Sequence, residues 1–277
     1  MRLGQIRFES SITAAVFEGE LARPVPGYTT VELIRKAVTE GVSLPELAFQ
    51  MASRHAEAAP PVLPINPVEV WACGCTYGVN DGRRGSEQEI YAQVCGQPRP
   101  QIFSSGTSRV CVGPGQPIGI RFDSNLTAPE PGLAVVLGRK GEILGYTLGN
   151  DVSAWDIERE NPLYLPQSKI YSASCALGPV IVTADELRDP YRLEMTCTIS
   201  RGGQQHFSGK TSTEGLRRRF EDLVAYLLRA NPVPPGSVLL TGTGIAINEE
   251  TALHPGDTVS IGIPEIGELS NTAAIVQ

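Results

Sequence analysis

From residue 68 onward, short apolar runs alternate with turn residues, and this pattern restricts the fold more than any other feature of the sequence. The chain has 29 Gly and 22 Pro among 277 residues, and both residue types interrupt regular elements. Apolar runs of about four to eight residues between such breaks predict β-strands. Closely spaced short strands are typical of barrels and rolled sheets. The predicted strands are 68–72, 118–122, 133–137, 143–148, 176–182, 193–200, 238–240 and 258–263.

The N-terminal segment has a different pattern. It predicts a small α/β module and linker over residues 1–65, followed by a larger domain over 66–277. Two apolar runs predict a hairpin, and two amphipathic stretches preceded by Thr or Ser predict short helices. These hairpin strands and helices are 6–8, 12–17, 29–39 and 44–51. Clustered prolines over 58–67 predict the linker, because proline breaks both helices and strands.

One amphipathic helix is predicted within the larger domain. The segment Thr211-Ser-Thr-Glu214 has the pattern of a capping box, which predicts a helix start. Apolar residues then recur at helical spacing and predict a single buried stripe. The stripe consists of Leu216, Phe220, Leu223, Val224 and Leu227.

The charge distribution argues against a nucleic-acid or membrane partner. The net charge is −7, and the densest basic run, 217–219, lies beside Glu214 and Glu221. Alternating signs of this kind are typical of a solvated helix face. No apolar stretch approaches the ~20 residues that a membrane span needs. Because the N-terminus lacks the apolar core of a signal peptide, a cytoplasmic location is expected.

Neither the cysteines nor the histidines form a recognisable motif. The closest of the six cysteines, Cys73 and Cys75, have C-x-C spacing, which fits neither a zinc ribbon nor a thioredoxin motif. We therefore expect small buried side chains. The three histidines lie in polar contexts and are expected at the surface: His55, His206 and His254. No G-x-S-x-G elbow is present, and Thr241-Gly-Thr-Gly244 lacks the third glycine of a dinucleotide-binding loop.

Three charged residues follow or precede predicted strands and are the main candidates for chemistry. Glu130 stands before one strand and Asp151 at the end of the next, so the two carboxylates can converge. Carboxylate oxygens suit Mg²⁺ or Ca²⁺. Lys169 follows on a polar loop and can supply a positive charge or a base, with little expected role in packing. Judged by residue type alone, a carboxylate at a strand end is more often a cap or turn residue.

The segments around these residues resemble the fumarylacetoacetate hydrolase superfamily, and within it the 2-keto-3-deoxy sugar acid dehydratases. The matching motifs are Glu130-Pro-Gly-Leu-Ala, Gly145-Tyr-Thr-Leu-Gly-Asn-Asp151-Val-Ser-Ala-Trp-Asp156 and Asn161-Pro-Leu-Tyr-Leu-Pro-Gln-Ser-Lys169. The likeness extends over about 68–277 and includes Ser208-Gly-Lys-Thr-Ser-Thr213 and Val238-Leu-Leu-Thr-Gly-Thr-Gly-Ile245.

This resemblance implies a β-rich, mixed α+β fold with a fumarylacetoacetase-like β-roll or barrel, and usually a homodimer. It also implies a divalent metal, held by two Glu and one Asp, that stabilises enolates of 2-oxo acids or 1,3-dicarbonyls. By residue, it places Glu130 and Asp151 at the metal, Lys169 at the catalytic lysine and Thr243 at a hydroxyl that contacts substrate. Tyr164 and Gln167, in the same motif as Lys169, are further substrate-binding candidates.

The sequence departs from the family pattern at four positions. Gly132 replaces the second metal-binding Glu, Trp155 an Arg, Gln101 an acid and Ser105 a Lys. We therefore expect a weak or vacant Mg²⁺ or Mn²⁺ site. Trp155 and the space expected at Gly132 favour a flatter, less charged substrate, with Gln101 and Ser105 also lining the pocket.

The favoured hypothesis is an enzyme acting on an enolisable β-dicarbonyl or 2-oxo small molecule without an obligatory metal. The step would be of the lyase, isomerase or cyclase type, with Lys169 polarising the substrate and Glu130 and Asp151 transferring protons. One alternative is a Mg²⁺-dependent hydrolase or dehydratase of a 2-keto-3-deoxy acid. Another is a non-catalytic ligand-binding protein. A missing acid or base could also come from the lid that begins after Cys75, for instance from Glu87 or Glu89.

Overall fold

The computed structural model describes residues 1–77 and 93–277, and β-strands dominate these residues. They form large mixed sheets, as the sequence predicts. In chain order, β1 to β9 are Arg2–Phe8, Ser11–Glu18, Leu21–Val25, Glu57–Ala58, Val70–Gly74, Gln101–Gly106, Cys111–Val112, Ile118–Arg121 and Thr127–Ala128. Strands β10 to β18 are Pro131–Leu137, Ile143–Asp151, Ser153–Ala154, Cys175–Thr183, Glu194–Arg201, Gln204–Ser212, Val238–Leu240, Thr258–Ile263 and Gly267–Val276.

The principal sheet has the strand order β4-β3-β2-β1-β13-β11-β10-β16-β5-β6, with β7 paired to β13. A second sheet has the order β15-β14-β17-β18-β8, and β12 pairs with β9. Within the described residues these sheets are open. The expected barrel is therefore wrong in one respect, because the described strand pairings do not close into a ring.

The N-terminal segment extends the principal sheet. Strand β1 pairs with β13 through Arg2↔Val182 and Leu3↔Ile181, and β2, β3 and β4 continue outward from it. Apolar side chains from both parts of the chain share one buried cluster, which includes Leu33, Leu177 and Val238. The two parts thus pack as one sheet with a common core.

The helices begin and end as follows: α1 Thr30–Glu40, α2 Leu44–Met51, α3 Trp155–Glu160, α4 Leu165–Lys169 and α5 Phe220–Leu227. The two N-terminal helices are confirmed, and α1 has a complete capping box between Thr29 and Glu32. The capping box predicted at Thr211–Glu214 is wrong as a helix start. Ser212 caps a single 3₁₀ turn at Thr213–Gly215, and α5 begins only at Phe220. No helix in the described part of the chain is long and apolar enough to cross a membrane.

Strands β10 and β11 position the candidate site. They are antiparallel neighbours, with Gly132 opposite Gly149 and Pro131 opposite Asn150. The amide of Asp151 donates to the carbonyl of Glu130 at 3.1 Å, which extends this register by one pair. Directly opposite residues share a sheet face. The chain then turns through β12, α3 and a 3₁₀ turn, and α4 returns Lys169 to the two carboxylates.

Candidate active site

Lys169 lies between Glu130 and Asp151. Its Nζ atom is 2.9 Å from Glu130 Oε2 and 3.0 Å from Asp151 Oδ2. The three side chains are only 3%, 15% and 9% exposed, respectively. The structure thus brings together the three residues that the sequence selects, in a buried cluster of one ammonium and two carboxylates.

This burial corrects one expectation from the sequence. Lys169 lies on a short helix, with its side chain enclosed, and not on a polar loop. Its ammonium also lies 5.8 Å from the centre of the Phe103 ring, a distance compatible with a cation–π contact. Lys169 therefore contributes to packing as well as to charge.

Neutral donors hold the outer oxygens of both carboxylates. Glu130 Oε1 accepts hydrogen bonds from Ser153 Oγ and from Trp155 Nε1, each at 3.0 Å. Asp151 Oδ1 accepts one from Ser105 Oγ at 3.0 Å. Each of the four carboxylate oxygens is consequently engaged by a side chain. Lys169 also donates to Ser153 Oγ in a short hydrogen bond.

The charges of the cluster shift its protonation equilibria. Burial alone would favour a neutral amine, but the negative charges of Asp151 and Glu130 outweigh it and raise the pKa of Lys169 above its usual range. Burial also raises the pKa of Asp151, although the charge of Lys169 opposes this shift. Lys169 is therefore a cation at neutral pH, and Asp151 accepts a proton more readily than an ordinary aspartate.

The space expected at Gly132 is not present. A Cβ atom at Gly132 would lie 2.4 Å from the carbonyl oxygen of Gly242, so the peptide of Gly242 occupies this place. Gly242 has a φ of +90°, and a Cβ there would lie 2.2 Å from Thr76 Oγ1. Glycine at both positions thus permits two stretches of backbone to approach closely. The prediction that Gly132 opens room for a flatter substrate is wrong for this reason.

Of the other predicted substrate-binding residues, some contact the cluster and others do not. Ser105 belongs to it, as described, and Trp155 binds Glu130. Thr243 is half-buried in the loop that touches Gly132, and its hydroxyl accepts from the amide of Ile245 at 3.2 Å. Gln101 shares a strand face with Phe103 through the two-residue period of β6 and packs against Gly74.

Tyr164 and Gln167 are exposed on the turn and helix that lead to Lys169. Among the described residues, the hydrogen bonds of the cluster do not include either side chain. Their role in binding substrate stays a prediction. Glu87, Glu89 and most of the expected lid lie outside the described residues.

Two residues that the sequence reasoning missed orient the cluster. Ser153 contacts both Glu130 and Lys169, and Asn150 Oδ1 accepts from the amide of Glu130 at 3.0 Å. Both lie within two residues of Asp151, inside the motif that carries the resemblance. Their closeness to Asp151 in the sequence could have identified them, since a serine two residues after a strand-end aspartate can reach the same face.

The described residues do not fit an ion site built from three carboxylates. Position 132 has no side chain, and the carbonyl of Gly242 lies in its place. Within 1–77 and 93–277, no group of three or more His, Cys, Asp and Glu side chains is arranged to hold a metal ion. The two remaining carboxylates are already paired with the Lys169 ammonium.

Comparison with known proteins identifies related sequences over most of the chain. Residues 71–274 match the family model for the fumarylacetoacetate (FAA) hydrolase C-terminal domain. The 2-dehydro-3-deoxy-D-arabinonate dehydratase of Saccharolobus solfataricus is 48% identical over 213 residues, which are 74% of this chain and 72% of that protein. A probable 2-keto-3-deoxyxylonate dehydratase of Haloferax volcanii is 41% identical over 262 residues, 93% of this chain and 88% of that protein.

A solved structure has the same fold over its full length. It is a 2-keto-3-deoxy-D-arabinonate dehydratase complexed with magnesium and 2,5-dioxopentanoate, with a TM-score of 0.84 and 36% identity, and the match covers 100% of both chains. The fold and the sequence motifs therefore indicate the same group of related proteins.

Proposed function

Since the chain belongs to the fumarylacetoacetate hydrolase family, we propose that it is a dehydratase that removes water from a 2-keto-3-deoxy sugar acid. The observation that carries the proposal is the buried Lys169 ammonium between two carboxylates. The names of the related dehydratases support the substrate class. The proposed reaction is that of the dehydratase alternative from the sequence analysis, and these names support it better than the favoured lyase, isomerase or cyclase step.

The chemistry of such an acid suits this cluster. Carbon C3 lies between the C2 carbonyl and the C4 atom that carries a hydroxyl, so a C3 proton is acidic. Its removal gives an enolate whose charge spreads to the C2 oxygen. The C4–O bond then breaks as the C3=C4 double bond forms and the C2 carbonyl is restored. A positive charge beside the C2 oxygen stabilises the enolate and lowers the barrier.

We assign the roles as follows. One carboxylate, Glu130 or Asp151, takes the C3 proton and returns it to the departing hydroxide, so that water leaves and the site regains its starting protonation state. Lys169 has three donors, and Glu130, Asp151 and Ser153 accept them. A substrate oxygen would replace the neutral Ser153 hydroxyl, because the charged carboxylates are the stronger acceptors.

The proposal about a divalent metal cofactor rests on the same Lys169 ammonium. Lys169 already provides a positive charge at the place where the enolate forms, and the residues present supply two carboxylates where the family pattern has three. We propose that no divalent ion is obligatory and that Mg²⁺ or Mn²⁺ binds weakly at most. We also propose that the chain forms a homodimer.

The test uses the purified protein with synthetic 2-keto-3-deoxyarabinonate and 2-keto-3-deoxyxylonate in D₂O, followed by NMR. We expect loss of the C4 hydroxyl to give a 3-ene with its C5 hydroxyl intact, which becomes a 2,5-dioxo acid when a proton moves from C5 to C3. If neither elimination nor exchange of the C3 hydrogens with solvent is observed, the proposal is overturned, and a non-catalytic ligand-binding protein is favoured.

Isomerisation of an enolisable 2-oxo or β-dicarbonyl substrate is the second candidate function. Gly132 is the observation that favours it, because a site with two carboxylates and one ammonium is sufficient to move a proton between carbon and oxygen. In the same experiment, exchange of the C3 hydrogens without loss of water would favour this candidate over the dehydratase.

A further inference from the structure

Cys111 and Cys175 are neighbours in the principal sheet, although they are far apart in the sequence. Strand β7 runs parallel to β13, and Cys111 pairs directly with Cys175. Directly paired residues point to the same face of a sheet, and neighbouring strands lie about 4.7–4.9 Å apart. The Cα atoms of a disulfide are usually about 4.4–6.8 Å apart. The backbone therefore already holds the two residues at a separation that suits a disulfide.

The two thiol groups are also in contact. Both cysteines are free thiols in this structure. A hydrogen bond with the Cys111 side chain, together with burial, raises the pKa of the Cys175 thiol, and such a bond requires the two sulfur atoms to be close. Cys111 Sγ also donates to the carbonyl of Thr107 at 3.5 Å, which fixes its position. Both side chains pack in the apolar cluster that contains Leu177.

From this pairing we infer that Cys111 and Cys175 are a modification site, at which hydrogen peroxide forms a reversible disulfide. Cys111 is half-buried, whereas Cys175 has no exposed surface, so peroxide reaches Cys111 first. Reactivity towards peroxide depends on such access. The inference goes beyond the proposed function, since it concerns two residues outside the candidate active site.

The reaction has two steps. The Cys111 thiolate attacks one oxygen of the peroxide, the O–O bond breaks, and a sulfenic acid and hydroxide form. The Cys175 sulfur then attacks the sulfenic sulfur and the S–O bond breaks, while the leaving hydroxide takes the proton of the Cys175 thiol and becomes water. In total, two thiols lose two protons and two electrons, and one hydrogen peroxide is reduced to two waters.

The disulfide would act on the strand that carries Asp151. Cys175 pairs with Asp151 across β11, and beside this pair the amide of Val152 donates to the carbonyl of Ser174 at 2.8 Å. The sulfur atoms of a disulfide are about 2.05 Å apart, closer than two thiols in contact, so β7 and β13 must shift. Because β13 is bonded to β11, part of this shift reaches Asp151. A displacement of about 1 Å can lower turnover by about 100-fold.

The experiment treats the purified full chain with hydrogen peroxide, blocks the remaining thiols under denaturing conditions and digests the protein with trypsin without a reductant. Cys111 then lies on peptide 110–121 and Cys175 on peptide 170–188, each with a single cysteine. By mass spectrometry we expect these two peptides to be joined with the loss of two hydrogens, and to separate in dithiothreitol. Turnover should fall by roughly tenfold or more and recover in dithiothreitol.

Two variants serve as controls. Cys111→Ser should form no such bond, should keep Cys175 as a free thiol and should retain its turnover after peroxide. Cys95→Ser, the same change at a half-buried cysteine outside the pair, is the matched control and should form the bond as the parent does.

Oxidation of Cys111 to a sulfinic or sulfonic acid while Cys175 remains a thiol would overturn the inference, as would a disulfide that joins other cysteines. A bond that forms without loss of turnover would refute the effect on Asp151. If Cys111→Ser does not fold, the parent decides the matter, because its joined peptides identify the pair directly. Since the peptide masses need no substrate, failure here is distinct from failure of the dehydratase assay.

Discussion

Lys169 contributes both to the stability of the folded protein and to the proposed catalytic step. Its ammonium is the partner of two buried carboxylates, and removing it would leave both without a full counter-charge. Breaking a buried ion pair on one side is costly because the remaining charge stays desolvated. A variant at this position therefore changes folding as well as turnover, and the two effects need separate measurements.

We expect Lys169→Ala to lower the free energy of unfolding by about 3–5 kcal/mol at neutral pH. Urea denaturation followed by circular dichroism measures this loss, with the exposed Lys210→Ala as control. The raised pKa sets the sign of the pH dependence. The stabilisation is fully present below about pH 10.4, the ordinary lysine value, and is lost as the pH rises through the higher folded pKa. Equal stability of the two variants would contradict the buried ion pair.

Trp155 binds one of the two carboxylates of the cluster, in addition to the substrate contact that the sequence predicts. Its indole N–H donates to Glu130 at 3.0 Å, so it orients one of the two proton-transfer candidates. Arg159 stacks over the ring at 5.1 Å and binds Glu249 at 2.7 Å, which fixes the indole from the outer side. Trp155 is thus a positioning residue in the proposed mechanism.

Trp155→Phe keeps an aromatic ring and removes the N–H donor, so we expect kcat to fall. A hydrogen bond to a charged group contributes about 1.5–3 kcal/mol, which corresponds to roughly 10- to 150-fold. Steady-state kinetics separates kcat from KM. A rise in KM with an unchanged kcat would instead support the direct substrate contact that the sequence predicts.

At the scale of elements, a small cleft lies beside the two carboxylates, and the contact between β10 and the loop after β16 determines its shape. Glu130, Gly132, Gly149, Asp151 and Gly242 line it. A Cβ atom at Gly132 would lie 2.4 Å from the Gly242 carbonyl, so glycine at these positions lets the sheet and the loop approach closely. Strand packing therefore sets the size of this cleft.

Gly132→Ala should destabilise the protein by about 1–3 kcal/mol, the usual cost of overpacking. The added methyl group would meet the Gly242 carbonyl at 2.4 Å, and the bonds of Thr241 to Leu133 prevent the loop from retreating. Thermal and urea unfolding check this. Gly262→Ala in β17 is the control, because its Cβ would meet only Thr196 Oγ1, at 3.2 Å. A similar small change in both variants would exclude the steric explanation.

The sequence predicts the central strands of the principal sheet, from β2 to β5 in the sheet order, but misses β3, β4, β6 and β7. Through the family resemblance it also predicts that Glu130, Asp151 and Lys169 lie together. Local sequence patterns predict the strands, and the family motifs predict that the three side chains lie together. The sequence does not predict that the Gly242 peptide occupies the place beside Gly132, because residues about 110 positions apart make that contact. It also misplaces the start of α5. The Ser/Thr-x-x-Glu pattern stabilises a 3₁₀ turn as well as an α-helix, and only tertiary packing decides between them.

At the scale of the whole molecule, the second sheet presents an apolar edge. Phe122, directly after the edge strand β8, is 70% exposed, and Ile275 on the neighbouring β18 is 59% exposed. The amide of Phe122 donates to the carbonyl of Val276 at 3.1 Å, so the two apolar side chains belong to one region of this edge. Neighbouring exposed apolar residues often mark a contact between subunits.

We predict that the homodimer uses this edge. Phe122→Asp should shift the mass measured by light scattering from dimer towards monomer at low protein concentration, because it places a charge in the interface. Phe49→Asp, at a phenylalanine on α2 that is 61% exposed, is the matched control and should keep the dimer. A monomeric parent would contradict the homodimer, and a Phe122→Asp variant that stays dimeric would place the interface elsewhere.

The amide–carbonyl bond between Asp151 and Glu130 has an evolutionary consequence. Because the two residues are opposite each other on adjacent antiparallel strands, the main chain sets the distance between their Cβ atoms at about 4.5–5.5 Å. Mutation elsewhere cannot widen that gap without breaking the ladder. A lineage that keeps this sheet therefore keeps the separation of these two Cβ atoms, whatever changes around them.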